Sequence, residues 1–551
     1  MKKLICIVLA MLLLTACGAP AAETAGNNAP VEAGACQAVI GGQQVTFEPW
    51  EQAGVPTSGD YYLTQDVVLE APVQVGGNLR LHLNGHNITV ANGVEVGSLF
   101  MIPAGSAMTV YDEPLPETFS IDYDMEYKDE AEAVVTCGSI TSNRSFSGKV
   151  TVSSMFMVGG ELTIAGGHVD GSNINLEDRA NGSVVYVQEG GKFTMEDGLI
   201  TGGLTWSFKK PEAAAPATTT PAEGTTPAEG TEPTEGTEVT EEVEVEEPEY
   251  YGYGGSVYVA KGAQCTVNGG YIWRGSAAYG GNIYVAGDET GSGKLVINGG
   301  TLLAGEATTL GGNICVDGEV EITGGLLDAG QSYGHGGNIY LSGKLTMTGG
   351  TLYRGACDVN GVQNKRGGNL AVNGLYATVK ITNAEILDGT ASCKETHGGN
   401  VAAFGYGAVE FEIGEGTVIT GGKGHRGGNI YIGHLNKDVP VENIDYVFTK
   451  VTMGNGSTTY RGSNICTDTK NNDRRILVTF NDCIANVENP SELSIAAGAG
   501  APDIARVDFI INGGTWTGGG FNIYQYCTVT CNGVTLVDCA PSGNGNYYEN
   551  P

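Results

Sequence analysis

The hexapeptide Gly-Gly-Asn-Ile-Tyr-Val at 280–285 returns, with small changes, at 311–316, 336–341, 367–372, 398–403 and 427–432. Looser copies begin at Gly254, Gly462 and Phe521. The asparagine column reads Asn282, Asn313, Asn338, Asn369, Asn400, Asn429, Asn464 and Asn522, in steps of 31, 25, 31, 31, 29, 35 and 58, the last being two turns of 29. A unit of this length cannot bury its own apolar face. It becomes stable only when stacked on copies of itself, so a period of this size marks a solenoid.

Each repeat carries two recurring strands. One is the Asn-Ile-Tyr-Val segment. The other precedes a second Gly-Gly pair, as in Leu295-Val296-Ile297, Val320-Glu321-Ile322 and Leu345-Thr346-Met347. There the apolar residues alternate with polar ones, which places one set on a core face. A short third run follows, such as Thr351-Leu352-Tyr353. The Gly pairs supply positive-φ corners. No helical period competes after the first residues of the chain. The residues Asn282, Asn313, Asn338, Asn369, Asn400, Asn429 and Asn464 are expected to form an internal ladder of stacked amides, since buried amides need partners. In earlier coils Ser98, Ser154 and Ser183 are expected to take the asparagine's place.

Composition narrows what such a solenoid does. The 87 glycines lack a three-residue period, which excludes collagen and fits many tight turns. A net charge of −34 excludes nucleic acid as a partner, because phosphate binding needs a cationic surface. Of 13 cysteines, Cys315 and Cys466 occupy the place of Tyr284 and Tyr340 and read as small packing residues. Cys527 and Cys531 share a strand face too far apart for a disulfide. No zinc spacing and no calcium nonapeptide occurs, so no cofactor is expected and calcium lacks support. Between Pro211 and Glu249 lie twelve Glu and no Lys or Arg among Pro, Ala, Thr and Gly. Such a segment cannot bury a core and reads as a disordered insert between coils.

The chain opens with Lys2 and Lys3, then an apolar run at 4–14, the form of an export signal. The run ends Leu14-Thr15-Ala16-Cys17, which resembles the lipobox of bacterial lipoproteins. That resemblance implies cleavage before Cys17 and a lipid on its thiol, hence an exported protein anchored to the bacterial membrane and facing outward. Residues 18–35 read as a tether.

The run Leu79-Arg80-Leu81-His82-Leu83-Asn84-Gly85-His86-Asn87-Ile88 resembles the early coils of right-handed parallel β-helix proteins, the pectate-lyase-like superfamily. The Gly-Gly-x-Ile repeats also resemble the passenger regions of autotransporter-like surface proteins. The expected architecture is therefore all-β: a signal peptide at 1–16, a lipidated cysteine, tether and N-terminal cap at 17–56, one right-handed parallel β-helix of about fourteen coils at 57–540, and a tail at 541–551. The insert is assigned to 209–251.

Two columns carry candidate chemistry. The residue before each Gly-Gly pair runs Tyr253, Tyr279, Leu310, His335, Arg366, His397, Arg426, Arg461, with Lys365 and His425 beside it. Stacked coils put one such group on each rung. The line reads either as a track for an anionic polymer or as a solvated turn corner. The second column is Tyr258, Tyr284, Tyr340, Tyr431 and Tyr524, whose neighbours Ile283 and Val285 should point inward. It reads either as a stripe for sugar rings or, because Cys315, Ala371, Ala402 and Cys466 share it, as packing. Many β-helix proteins are polysaccharide lyases or hydrolases, so their residues were sought. Gly334-His335-Gly336 matches a short polygalacturonase motif but is also one register of the repeat. Two carboxylates flanking a bond could not be nominated. The leading expectation is a non-catalytic, surface-anchored adhesin-like or glycan-binding rod, whose partner is acidic polysaccharide or a host or cell-wall glycan. A polysaccharide lyase or hydrolase and a ligand-free surface spacer are the alternatives.

Overall fold

A computed structural model describes residues 36–40, 43–50, 55–91, 98–115, 119, 121, 137–141, 145–146, 154–176, 182, 184–205, 207–208, 250–357, 365–391, 393–435, 445–468, 475–487, 495–497, 507–524 and 527–551. Among these every regular element is a β-strand. Cys17, the export signal, the tether and most of the insert lie outside the described residues. The chain divides into two compact units, Met1–Glu48 and Pro49–Pro551. In the first, the strand Cys36–Ile40 pairs antiparallel with the strand Gln43–Trp50, Cys36 opposite Phe47.

The second unit is built from long stacks of parallel strands, compatible with a parallel β-helix. One coil shows the plan. Ile283–Val285 lies in a first stack, Lys294–Ile297 in a second, Thr301–Leu303 in a third, and the short strand Glu306–Leu310 leads to Gly311 and Gly312. Ile314–Val316 then pairs in parallel on Ile283–Val285. The first stack has fifteen strands, from Val73–Gln74 to Ala540–Gly543. Its register is Ile283, Ile314, Ile339, Leu370, Val401, Ile430, Ile465. Stacking satisfies the backbone groups along each strand, so only end rungs present open edges.

The apolar positions of all three stacks meet in one interior. Ile283, Val285, Leu295, Ile297 and Leu302 are fully buried in it. Each such side chain contributes roughly 1.5–3 kcal/mol relative to exposure. Like residues stack on like: the Phe100 and Phe156 rings lie 5.3 Å apart and 13° from parallel, and Phe448 lies 5.0 Å from Phe480.

Four details differ from the sequence expectation. Ser98 and Ser154 pair with each other (Oγ to Oγ 3.3 Å), but they sit two residues before Phe100 and Phe156. Asn282 sits one residue before Ile283. The rung equivalents of the ladder are therefore Leu99, Met155 and Val184, buried and apolar, and then Ser256. Asn522 is also out of the ladder: Phe521 pairs with Ile495, which puts Asn522 in the Cys466 column and Tyr524 two residues beyond it. The residues assigned to a tail add two more strands. Ala540–Gly543 joins the first stack and Asn546–Asn550 the second, where Tyr547 packs against the core. Tyr250–Tyr251, assigned to the insert, pairs antiparallel with Ser207–Phe208.

Candidate binding site

The corner between the short strand and the first stack is where the repeat is most constrained. The leading glycine of each pair has positive φ, +69° at Gly311 and +71° at Gly336. The asparagine that follows is fully buried, and its amide reaches the next coil. Asn282 Nδ2 donates to Asn313 Oδ1 at 2.7 Å, and the relay continues through Asn338, Asn369, Asn400 and Asn429 to Asn464 at 2.7–3.0 Å. Each amide is used further. Asn338 Nδ2 also donates to Tyr353 O at 2.9 Å, and its Oδ1 also accepts from Gly330 N at 3.1 Å. Asn338 thus has no capacity left for a ligand, and all seven asparagines are fully buried.

The corner residues do form a line. Tyr253, Tyr279, Leu310 and His335 bridge in parallel, as do Arg366, His397, Arg426 and Arg461. The tyrosine column lies beneath this line. Its side chains point away from the interior, yet Tyr284, Tyr340 and Tyr431 are buried with Cys315, Ala371, Ala402, Phe404 and Cys466 in a second apolar cluster. The corner residues fold back over it. The two columns read separately in the sequence are thus the two layers of one seam. Tyr186 also belongs to the lower layer, opposite Tyr258.

The cationic part of the seam changes character along its length. The His335 ring lies 4.6 Å from Phe404, and the Arg366 guanidinium stands 4.9 Å over the same ring. His335 Nδ1 accepts the Arg366 backbone N–H at 3.1 Å. Lys365, beside it, is half-buried. His397 is buried, with its ring 4.5 Å from Tyr431. Arg426 is ion-paired with Asp468. At the last rungs the seam is flanked by exposed tyrosines. There His425 stacks on Tyr460 at 5.3 Å and hydrogen-bonds Thr459 Oγ1 at 2.8 Å. Arg461 lies 4.5 Å from Tyr460 and 4.8 Å from Tyr524. Tyr460 is 56% exposed and Tyr524 37%. Among the described residues Arg461 has no carboxylate partner.

Aligned like charges on successive rungs, about 4.8 Å apart, repel one another. His397 stands between Arg366 and Arg426, and Arg426, which neighbours Arg461 directly, is paired with Asp468. Burial, reinforced by the Arg366 and Lys365 charges, holds His335 down to about 3. Burial also lowers His425, helped by Arg426. The His335 ring therefore adds no charge beside Arg366 near neutral pH. The linkage follows: unfolded histidine ionises near 6.5, so between about pH 6.5 and 3 the unfolded chain binds the extra proton. His335 thus contributes its stability above pH 6.5 and loses it as pH falls toward 3. His335→Asn is expected to remove up to about 1.4 kcal/mol per pH unit of acid sensitivity in that window, the slope of one proton. Urea midpoints measured from pH 7 to 4 check this; parallel wild-type and variant slopes would refute it.

Among the described residues no three His, Cys, Asp or Glu side chains are grouped to hold a metal ion. All eleven described cysteines are free thiols. The seven ladder asparagines are joined by the structure, while the cationic column is joined as a backbone line, with His397 buried and His335, Arg366, Arg426 and Arg461 half-buried. Sequence reasoning missed Tyr460, which stands before Arg461 as His425 does before Arg426, missed Thr459, the extra residue of a bulge there, and misplaced Tyr524. No protein-family model, no curated protein and no solved structure matches this chain.

Proposed function

We propose that the chain is an exported lipoprotein, anchored through Cys17, whose single right-handed parallel β-helix of about fourteen coils displays a non-catalytic binding patch for acidic glycans. The right hand follows the rule for parallel strands joined by crossovers. The lipid anchor rests on the Leu14-Thr15-Ala16-Cys17 signal. The observation that carries the binding reading is Arg461, held between the exposed Tyr460 and Tyr524 beside His425. A guanidinium offers paired donors to a carboxylate or sulfate, and the tyrosines offer apolar ring area to the sugar.

Net charge opposes such a ligand at long range and the patch favours it at short range. Charges more than a Debye length away, about 8 Å at physiological ionic strength, are largely screened. Retention of acidic polymer is therefore expected to peak at intermediate salt, about 0.1 M, and to fall on both sides. Affinity chromatography of the full chain on immobilised polygalacturonate and heparin tests this. Arg461→Ala is expected to weaken retention at least about tenfold, a typical cost for truncating one partner of a charge-assisted contact. Absence of retention at any salt would leave the spacer, a reading that the burial of His397 and the Arg426–Asp468 pair favour. Product release would replace both by an enzyme.

A further inference from the structure

At the other end of the seam an open groove of about 660 Å³ runs beside the first stack. It crosses five rungs. The residue two positions past the lower column forms its floor: Pro103, Gly159, Gln188, Ala260 and Ala286, after Met101, Met157, Tyr186, Tyr258 and Tyr284. Most of these are small, which is what opens the groove. On the next rung the same position is Asp317, which accepts the Tyr284 hydroxyl at 2.5 Å. Tyr186 and Tyr258 stack at 5.0 Å and 13°, and Tyr258 covers only one side of the Tyr186 ring. Met157 lies on Tyr186's other side in the same column, so Tyr186 and Tyr258 border the groove with their ring edges and hydroxyls.

We infer that this groove is a second glycan site, for an uncharged pyranose chain that runs along the solenoid axis across the edges of Tyr186 and Tyr258. The chemistry differs from that at Arg461. The rim cation, Lys261, is taken up by Asp288 at 2.7 Å and Thr290 at 3.1 Å. Glu189 stands exposed at the rim, so an acidic polymer would be repelled. The Gln188 amide, the Glu189 carboxylate and the tyrosine hydroxyls are hydrogen-bonding groups for neutral hydroxyls. Five rungs span four intervals of about 4.8 Å, roughly 19 Å, which matches three to four sugars. The volume falls in the ordinary range for ligand sites, about 300–1,000 Å³.

The test uses the full chain with neutral cello-, xylo- and chito-tetraoses, read by ligand-observed saturation-transfer NMR and titration calorimetry. At least one is expected to bind. Tyr186→Ala is expected to weaken it about tenfold, while Tyr186→Phe, which keeps the ring, stays within about threefold. Ala104→Trp, an exposed position on the groove wall, is expected to block binding without touching the core, and so serves if Tyr186→Ala fails to fold. Arg461→Ala is expected to leave binding unchanged, which separates this site from the acidic-glycan patch. No binding of any neutral tetraose at millimolar concentration would overturn the inference. So would equal binding by wild type, Tyr186→Ala and Ala104→Trp.

Discussion

Asn338→Leu is expected to lower the stability of the central coils by about 3–5 kcal/mol, since each buried donor left unpaired costs about 1–3 kcal/mol. Leucine fills a similar volume but strands the Asn313 Nδ2 hydrogen that pointed to Asn338 Oδ1, and the Gly330 backbone N–H. It also takes a donor from Tyr353 O. Asn338→Asp probes the same point by charge. An aspartate there can accept from Asn313 but cannot donate to Asn369 Oδ1 unless protonated. Its folded pKa should rise above the ordinary 3.9. The variant is then closest to wild type below that pH and loses stability as pH rises through neutrality. Ser256→Ala is the contrast. Ser256 Oγ makes one bond, to Gly202 O at 2.8 Å, and its loss should cost about 1 kcal/mol. Urea denaturation gives the energies, and hydrogen exchange at Gly330 shows whether the damage is local, as nearest-neighbour stacking requires. A loss below about 1 kcal/mol for Asn338→Leu would mean the ladder is incidental to the fold.

The ladder also shows how far the sequence could be read. Identical residues at a near-constant step betray stacking, because each rung asks the same thing of one position. The buried amides and the inward Ile283 and Val285 were legible for that reason. What escaped were positions that satisfy the same demand with different residues. The turn after the third stack has positive φ at Arg274, Ala304, Ala329, Arg354 and Asp388, a left-handed corner without glycine. The glycine after each donates its N–H to the ladder, from Gly275 N to Asn282 Oδ1 at 2.8 Å through Gly389 N to Asn400 Oδ1 at 2.8 Å, and only on the next coil does a glycine, Gly421, take the corner. Gly275 lies seven residues before its asparagine, Gly355 fourteen before Asn369, and Gly389 eleven before Asn400. Variable loop length hid that column. The seam was half legible. Its two columns were visible, but only packing shows that one covers the other, and that Tyr460 and Tyr524 meet at Arg461. Early rungs misled because Ser98 and Ser154 offer a hydroxyl one position away from where the later amides stand.

Gly337→Ala is expected to cost more than the loss of any single ladder amide, on the order of 5 kcal/mol, because backbone rather than side chain would have to yield. A Cβ at Gly337 would lie 2.1 Å from Ala356 N and 2.2 Å from Gly368 O. These atoms belong to two different stretches of backbone, both held by ladder hydrogen bonds, so no rotamer change relieves the overlap. The coils must separate, and separation stretches the 2.7 Å relay between Asn338 and Asn369. Two other glycines isolate the cause. Gly85 has φ +74° and nothing within 4 Å of an added Cβ, so Gly85→Ala carries only the left-handed penalty, about 1–2 kcal/mol. Gly291 has neither crowding nor positive φ, and Gly291→Ala should be neutral within about 0.5 kcal/mol. The expected order of proteolytic resistance and melting temperature is Gly291→Ala, Gly85→Ala, Gly337→Ala, from most to least stable. If Gly337→Ala and Gly85→Ala were equally stable, the coils would be loosely enough stacked to admit a methyl group, and the repeated Gly-Gly pair would owe its presence to conformation alone. A large gap between them assigns the second glycine of each pair to close approach: it is there so that one coil can sit on the next at amide-to-amide distance.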